Sequence, residues 1–124
     1  MGRFPVFKGF CSLEVLDMSC NSLEDSVDLQ FNGLNELKSL NLSENKFRGS
    51  INLTKLGNSN LEELQLSINS FEGNIPDGIT NYVNLTLLDL GGNQVTGTIP
   101  SRIGDLSNLQ LLVLSLNNLT SEIP

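Results

Sequence analysis

Adjacent Glu62 and Glu63 are the first residues whose type and spacing could support catalysis. Two carboxylates that flank a glycosidic bond can act as the acid and the base of its hydrolysis. These two are neighbours on a predicted strand, where successive side chains point to opposite faces. We therefore interpret them as structural residues and not as a catalytic pair.

Gly91 and Gly92 follow a predicted strand, where glycines can hold a phosphate group. The pair lacks the spacing of the G-x-G-x-x-G and Walker motifs, and no helix start follows it. The chain also contains no His, which excludes a histidine base and argues against a zinc site. The sequence thus predicts no enzyme, no cofactor and no metal.

The two cysteines, Cys11 and Cys20, flank the predicted strand from Glu14 to Met18. Five extended residues span about 17 Å, whereas a disulfide requires Cα atoms within about 7 Å. We therefore expect no disulfide between them.

Apolar residues recur every 24 positions and define the elements of the chain. The pattern is L-x-x-L-x-L-x-x-N-x-L, and its first leucines are Leu13, Leu37, Leu61, Leu85 and Leu109. Because the central leucines alternate with other residues, each copy predicts a short strand with one buried face, and stacked copies predict a parallel sheet. A regular period of this length indicates a solenoid with one continuous core.

An asparagine follows the strand in every copy, at the point where the chain must turn. These residues are Asn21, Asn45, Asn69, Asn93 and Asn117. An asparagine amide can bind backbone groups of a turn. We interpret this column as a structural ladder.

The second half of the unit is complete in two copies, which read F-E-G-N-I-P from Phe71 and V-T-G-T-I-P from Val95. The glycine permits a bend, and the proline marks a strand end or edge. About ten residues remain before the next strand, which predicts short 3₁₀ turns instead of full helices.

The consensus L-x-x-L-x-L-x-x-N-x-L-x-G-x-I-P resembles the plant extracellular leucine-rich repeat of receptor-like kinases and receptor-like proteins. The resemblance covers residues 13–124 and is most specific in T-G-T-I-P-S-R-I-G-D-L-S-N, which ends at Asn108. It implies a mostly β solenoid of the α/β type, with a parallel concave sheet and a right-handed superhelix. It also implies that the I-P segments form a second small sheet.

The copies differ in their second halves, and the ends of the chain carry no recognisable cap. The glycine position holds Asp25 in the first copy, and the proline position holds Asp28 and Asn52 in the first two. We therefore expect a poor second sheet before Gly73, with Leu53 and Leu56 filling the core of copy two.

The predicted units are 13–36, 37–60, 61–84, 85–108 and 109–124. Residues 1–12 are predicted to be the back half of another repeat. We interpret the chain as an internal fragment or a truncated product.

Composition restricts the partners of the chain. The net charge of −7 makes nucleic acid an unsuitable partner. No apolar run approaches 18 residues, so this segment is not expected to insert into a membrane. The start, MGRFPVFKGF, does not resemble a secretory signal.

The solvent-facing strand residues of such a solenoid lie on one concave surface, its default binding face. The candidate ligand-binding residues are Asp17, Asn41, Glu63, Gln65, Leu87, Asp89, Leu111, Val113 and Leu116. The apolar members of this set could accept an aliphatic side chain, and its acids could attract a basic segment of the same peptide. Alternatively, the acids keep the sheet soluble and the apolar members pack on further repeats.

Four Asn-x-Ser/Thr sequons mark candidate glycosylation sites, at Asn41, Asn52, Asn84 and Asn118. Asn52 is the best candidate, because a glycan on Asn41 would obstruct the concave face. Chance alone would supply most of these sequons, so they support secretion only weakly.

The leading hypothesis is a non-catalytic extracellular module that binds a peptide or protein ligand, or a co-receptor ectodomain, in cell-surface signalling. Its parent would be anchored in the plasma membrane, and any kinase domain would lie outside this chain. The alternative is a secreted inhibitor of a microbial wall-degrading enzyme. An intracellular scaffold is disfavoured by the plant-type unit.

Overall fold

The computed structural model describes residues 2–3, 12–25, 34, 36–51 and 60–120. Within these ranges, eleven short strands form two parallel sheets. The first, called here the inner sheet, has five strands: β2 (Val15–Asp17), β4 (Ser39–Asn41), β6 (Glu63–Gln65), β8 (Leu87–Asp89) and β10 (Leu111–Val113). They stack in sequence order, and each residue pairs with the residue 24 positions further on.

Alternation of side chains explains why these segments form half-buried strands. Leu40, Leu64 and Leu88 occupy the central positions of β4, β6 and β8 and are buried, whereas their neighbours on each strand are partly accessible. Each leucine pairs with its equivalent in the next strand. The period of the sequence thus becomes a continuous leucine column inside the solenoid.

The second sheet, called here the outer sheet, follows the turns that carry the asparagines. Its strands are β1 (Gly2–Arg3), β3 (Leu23–Asp25), β5 (Lys46–Ser50), β7 (Ser70–Asn74), β9 (Gln94–Gly97) and β11 (Asn118–Leu119). From β3 onward the paired residues are 22 positions apart, two fewer than in the inner sheet. Residues at equivalent positions of the 24-residue unit are therefore not paired with each other, because the pairing is offset by two residues in each repeat. An even offset keeps the same face of each strand towards the core.

Short 3₁₀ turns, Asp77–Asn81 and Ser101–Asp105, close two of the repeats, as the spacing predicts. Each begins directly after a proline, Pro76 or Pro100, whose fixed φ suits the entry to a turn. Ile79 is buried on the inner side of the first turn. The mostly β solenoid with short 3₁₀ turns is confirmed.

The core lies between the two sheets and the turns. Its buried residues are Leu34, Leu37, Leu40, Leu42, Phe47, Ile51, Leu61, Leu64, Leu66, Phe71, Ile75, Ile79, Tyr82, Leu85, Leu88, Leu90, Val95 and Leu106. Phe47 and Phe71 stack on each other with their ring centroids 6.2 Å apart. The core therefore runs from one repeat to the next without a break.

The expectation of a poor second sheet before Gly73 is wrong for the second repeat. Strand β5 is five residues long, as is β7, although its repeat lacks the proline. Gly49 has φ 85°, close to the 79° of Gly73, so it supplies the required bend. Because backbone groups make the sheet, the glycine suffices without the proline. Residues 52–59, which include Leu53 and Leu56, lie outside the described ranges.

Candidate binding surface

The exposed face of the inner sheet presents two columns of side chains from its five strands. The first column contains Val15, Ser39, Glu63, Leu87 and Leu111, and the second contains Asp17, Asn41, Gln65, Asp89 and Val113. Because each strand contributes one residue to each column, neighbouring side chains are about 4.8 Å apart along the solenoid. All candidate ligand-binding residues except Leu116 lie in these columns, and Leu116 follows β10.

Three polar residues of the second column also bind the backbone just beyond their strands. Asp17 Oδ1 accepts hydrogen bonds from Ser19 N at 3.0 Å and Ser19 Oγ at 2.6 Å. Asn41 Oδ1 accepts from Ser43 N at 3.0 Å, and Asp89 Oδ1 accepts from Gly91 N at 3.0 Å. The two bonds to Ser19 hold the pKa of Asp17 below its ordinary value. These side chains therefore fix the strand ends as well as facing solvent.

The asparagine column links consecutive repeats. Asn69 Nδ2 donates to Leu42 O of the preceding repeat at 3.0 Å, and Asn69 Oδ1 accepts from Phe47 N at 3.1 Å. It also donates to Leu66 O and Ser67 O in its own turn. Asn45, Asn93 and Asn117 make the same set of bonds one repeat apart.

Asn21 differs from the other members of this column. It is exposed, and its Nδ2 donates to Met18 O and Ser19 O, both at 3.0 Å and both within its own turn. Asn21 therefore serves as an internal comparison for the column, because its described hydrogen bonds all lie within its own turn.

Apolar exposure on this face is not confined to the last repeats. Leu111 and Leu116 are 53% and 83% exposed, as expected for an apolar cluster, whereas Leu87 and Val113 are half-buried. Val15 is 62% exposed in the first strand and interrupts the acidic part of the surface. Ile68, which is not among the candidate ligand-binding residues, is 57% exposed. Its position one repeat before Gly92 and two before Leu116 was the signal that could have identified it.

Cys20 and Glu44 lie together near the start of the described face. Cys20 is exposed and free, and its Sγ donates to Glu44 Oε2 at 3.4 Å. That hydrogen bond, together with the negative charge of the carboxylate, raises the pKa of the Cys20 thiol. Cys11 lies outside the described residues.

The sequons differ in accessibility. Asn84 is exposed in the turn after the first 3₁₀ segment, and Asn118 is exposed in β11. Asn41 is half-buried and engaged with Ser43. Asn52, the sequon that the sequence favours, lies outside the described residues.

The described residues contain no group of three or more His, Cys, Asp or Glu side chains arranged to hold a metal ion. No helix in this part of the chain is long and apolar enough to cross a membrane.

The stacked parallel strands, the asparagine ladder and the 3₁₀ turns define a leucine-rich repeat solenoid. The Leucine Rich Repeat family model matches residues 12–34, 36–57, 60–82 and 84–106. These segments cover most of the chain, which therefore belongs to the leucine-rich repeat family. No match was found among curated protein sequences.

Several solved plant receptor structures are similar to this chain. The PEPR1–AtPEP1 structure is 36% identical, with a TM-score of 0.91 over 99% of this chain and 17% of that one. The ectodomain of the receptor kinase GASSHO1/SCHENGEN3 from Arabidopsis thaliana, in complex with CASPARIAN STRIP INTEGRITY FACTOR 2, is 31% identical. Its TM-score is 0.89 over 99% of this chain and 15% of that one.

A third similar structure is the BIR3–SERK2 complex from Arabidopsis thaliana. It is 32% identical, with a TM-score of 0.82 over 88% of this chain and 58% of that one. The present chain thus spans less than a fifth of the first two structures. The similarity supports the resemblance to plant leucine-rich repeat receptor ectodomains.

Proposed function

We propose that this chain is a recognition module of a plant-type cell-surface receptor, and that the exposed face of its inner sheet binds a peptide or protein ligand. The observation that carries this proposal is the 36% identity and close superposition with the PEPR1–AtPEP1 structure. The GASSHO1/SCHENGEN3 structure supports it, because that ectodomain was solved in complex with CASPARIAN STRIP INTEGRITY FACTOR 2.

The inner sheet is the proposed site because it combines an accessible face with a rigid frame. The asparagine ladder and the leucine columns fix the backbone beneath the two exposed columns. Preorganised side chains bind at a lower entropic cost than mobile ones. Leu111 offers exposed apolar area, and Glu63 and Asp89 offer negative charge on the same face.

The proposed setting is extracellular, with a co-receptor ectodomain as a second class of partner. The similarity to a BIR3–SERK2 complex supports a partner of this kind. Asn84 and Asn118 are the accessible sequons in the described part of the chain and are the sites we propose for glycans. A secreted enzyme inhibitor stays the alternative, and the similarity to receptor structures favours the receptor module.

The test is selection of peptides from a random phage-displayed library on the purified chain, followed by affinity measurements on variants. Leu111→Glu should weaken binding of the selected peptides about tenfold or more, because it places a charge in the apolar contact. Val83→Glu is the matched control, since Val83 is 57% exposed but lies outside the inner sheet. Failure to select any peptide, or equal loss in both variants, would contradict the proposed site.

A further inference from the structure

The two 3₁₀ turns, Asp77–Asn81 and Ser101–Asp105, border a groove that belongs to neither sheet. Its volume is about 350 Å³, and small-molecule sites usually measure about 300–1,000 Å³. At about 30 Å³ per water molecule it holds about a dozen waters, which is enough space for one sugar-sized ring with its substituents. We call this space the turn groove.

Each turn directs its isoleucine inward and presents its polar residues at the surface. Ile79 is buried in the first turn, and Ile103 packs against the core in the second. Because a 3₁₀ turn has three residues per turn, the residues on either side of each isoleucine point away from the core. The polar residues that line the turn groove are Asp77, Thr80, Asn81, Ser101 and Arg102.

The first turn offers mainly hydrogen-bond acceptors to the groove. Thr80 Oγ1 donates to Asp77 O at 2.8 Å, so its proton is engaged and its oxygen can accept from a ligand. The Asp77 carboxylate has no hydrogen-bond or ion-pair partner among the described residues. Asn81 ends this turn with an amide that can both accept and donate.

The second turn offers mainly donors. Arg102 Nε donates to Asp105 Oδ2 at 3.2 Å, which orients the guanidinium and leaves its Nη groups to donate elsewhere. Ser101 adds a hydroxyl group on the same side. A guanidinium can donate to two acceptors at once. The groove therefore has acceptors on one side and donors on the other.

The charges around the groove disfavour an ionic ligand of either sign. Of the described lining residues, Arg102 is the only cation, and it already pairs with Asp105. An anion would meet the carboxylate of Asp77, and a cation would meet the guanidinium of Arg102. The matching ligand is neutral and rich in groups that both donate and accept, as hydroxyl groups do.

Apolar surface is scarce in the groove. Apart from the glycine of the first turn, the one apolar residue of its lining is Pro100, which is buried. A peptide with apolar anchors would thus find little area to cover here. This composition distinguishes the turn groove from the exposed face of the inner sheet, where Leu111 is accessible.

We propose that the turn groove binds one neutral pyranose ring, either of a free sugar or within a longer saccharide. Asp77 and Thr80 accept hydrogen bonds from the sugar hydroxyls, Arg102 and Ser101 donate to them, and Asn81 does both. This site goes beyond the proposed function, since it does not depend on a peptide at the inner sheet.

Saturation-transfer difference NMR on the purified full chain tests the proposal. The panel contains glucose, galactose, mannose and xylose, the uronic acids of glucose and galactose, and free serine as a small zwitterion. At least one neutral sugar should bind saturably, and each uronic acid should bind more weakly than its neutral sugar. Oligosaccharides of the bound sugar separate the two sources, because a ring recognised within a chain binds more tightly than the free sugar.

Gly78 allows the groove to be filled without backbone strain. Its φ is not positive, and an added Cβ would lie 4.0 Å from Asn81 Nδ2, which is an ordinary contact. Gly78→Leu should fold normally and weaken sugar binding about tenfold or more. Gly104→Leu is the matched control, because Gly104 lies in the other turn and outside the lining, and an added Cβ there meets nothing within 4 Å.

Asn81→Ala tests the hydrogen bonds of the groove without filling it. The loss of one or two hydrogen bonds should weaken sugar binding about threefold to tenfold. Asn84→Ala is its control, since Asn84 is exposed in the following turn and lies outside the lining. It should bind the sugar as the natural chain does.

Three results would overturn the proposal. The first is tighter binding of a uronic acid or of serine than of the neutral sugars, because the groove would then recognise charge. The second is the absence of binding by every neutral sugar. The third is an equal loss of binding in Gly78→Leu and Gly104→Leu, which would place the sugar elsewhere.

Discussion

At the scale of single residues, the asparagine column shows how one side chain joins two repeats. Asn69 binds the inner strand end and the outer strand start of the preceding repeat, as well as its own turn. Removal of this amide leaves backbone groups without their partner. An unsatisfied buried group of this kind costs about 1–3 kcal/mol.

We expect Asn69→Ala to lower the free energy of unfolding by about 1–3 kcal/mol, measured by urea titration. Asn21→Ala is the matched control, because Asn21 is exposed and its two described bonds lie within its own turn. Its loss should cost less than that of Asn69. An equal cost at both sites would show that the link between repeats contributes nothing.

Asp17 predicts a dependence of stability on pH. Its hydrogen bonds from Ser19 Oγ and Ser19 N lower its pKa in the folded state. The ionised carboxylate therefore stabilises the fold above the unfolded pKa of about 4. This contribution is lost as the pH falls through the lowered folded pKa.

Asp17→Asn should keep the two bonds and remove this titration, since Asn41 Oδ1 accepts in the same way from Ser43. Between pH 5 and pH 2.5 the variant should lose less stability than the natural chain, in urea titrations at each pH. The effect should be smaller than that of Asn69→Ala, because Asp17 is exposed. The reverse variant, Asn41→Asp, should lose more stability than the natural chain as the pH falls. Parallel profiles of stability against pH for all three proteins would contradict this explanation.

At the scale of elements, the outer strands depend on glycines at positive φ. Gly49, Gly73 and Gly97 have φ of 85°, 79° and 81° at equivalent positions of β5, β7 and β9. Residues with a Cβ atom are disfavoured in this conformation. Each of these three strands therefore has a glycine at the position where the backbone requires positive φ.

Gly97→Ala should lower the free energy of unfolding by about 1–2 kcal/mol, because alanine is strained at this φ. The added Cβ would also contact Asn74 Oδ1. The double variant Asn74→Ala/Gly97→Ala tests the cause, since it removes the contact and leaves the strain. Full recovery of stability in the double variant would show that the contact, and not φ, is responsible.

Gly104→Ala is the matched control for Gly97→Ala. Gly104 lies in the second 3₁₀ turn, and an added Cβ meets nothing within 4 Å. It should be neutral or stabilising by up to about 1 kcal/mol. Thermal unfolding of the two variants side by side measures this difference.

At the scale of the whole molecule, repetition produces both the core and the exposed face of the inner sheet. Each repeat contacts its neighbours through paired strands and shared leucine columns, so the two sheets propagate together. The same stacking places Cys20, Glu44, Ile68, Gly92 and Leu116 at equivalent positions after the inner strands, each 24 residues after the last.

Much of the fold could be predicted from the sequence because the inner strands are governed by burial. Leu40, Leu64 and Leu88 recur at a fixed spacing, and alternation determines which side of each strand they occupy. The 3₁₀ turns could be predicted because only about ten residues remain before the next strand and because Pro76 and Pro100 precede the turns. The division into five 24-residue units stays a prediction.

The candidate site was less accessible to prediction. Glu63, Asp89 and Leu111 could be assigned to one face from alternation alone. The hydrogen bond from Gly91 N to Asp89 Oδ1 could not, since it depends on the path of the chain after the strand. Alternation applies only while the strand continues.

The sequence by itself determined the repeating unit, its buried leucines and the residues that follow each strand, because hydrophobic periodicity records which side chains leave water. Only the tertiary structure decided the 22-residue register of the outer sheet and the presence of β5. It also decided the positive φ of Ile68 and Leu116 on either side of Gly92. These features are set by backbone hydrogen bonds between repeats, which depend on the path of the chain and not on the type of each side chain.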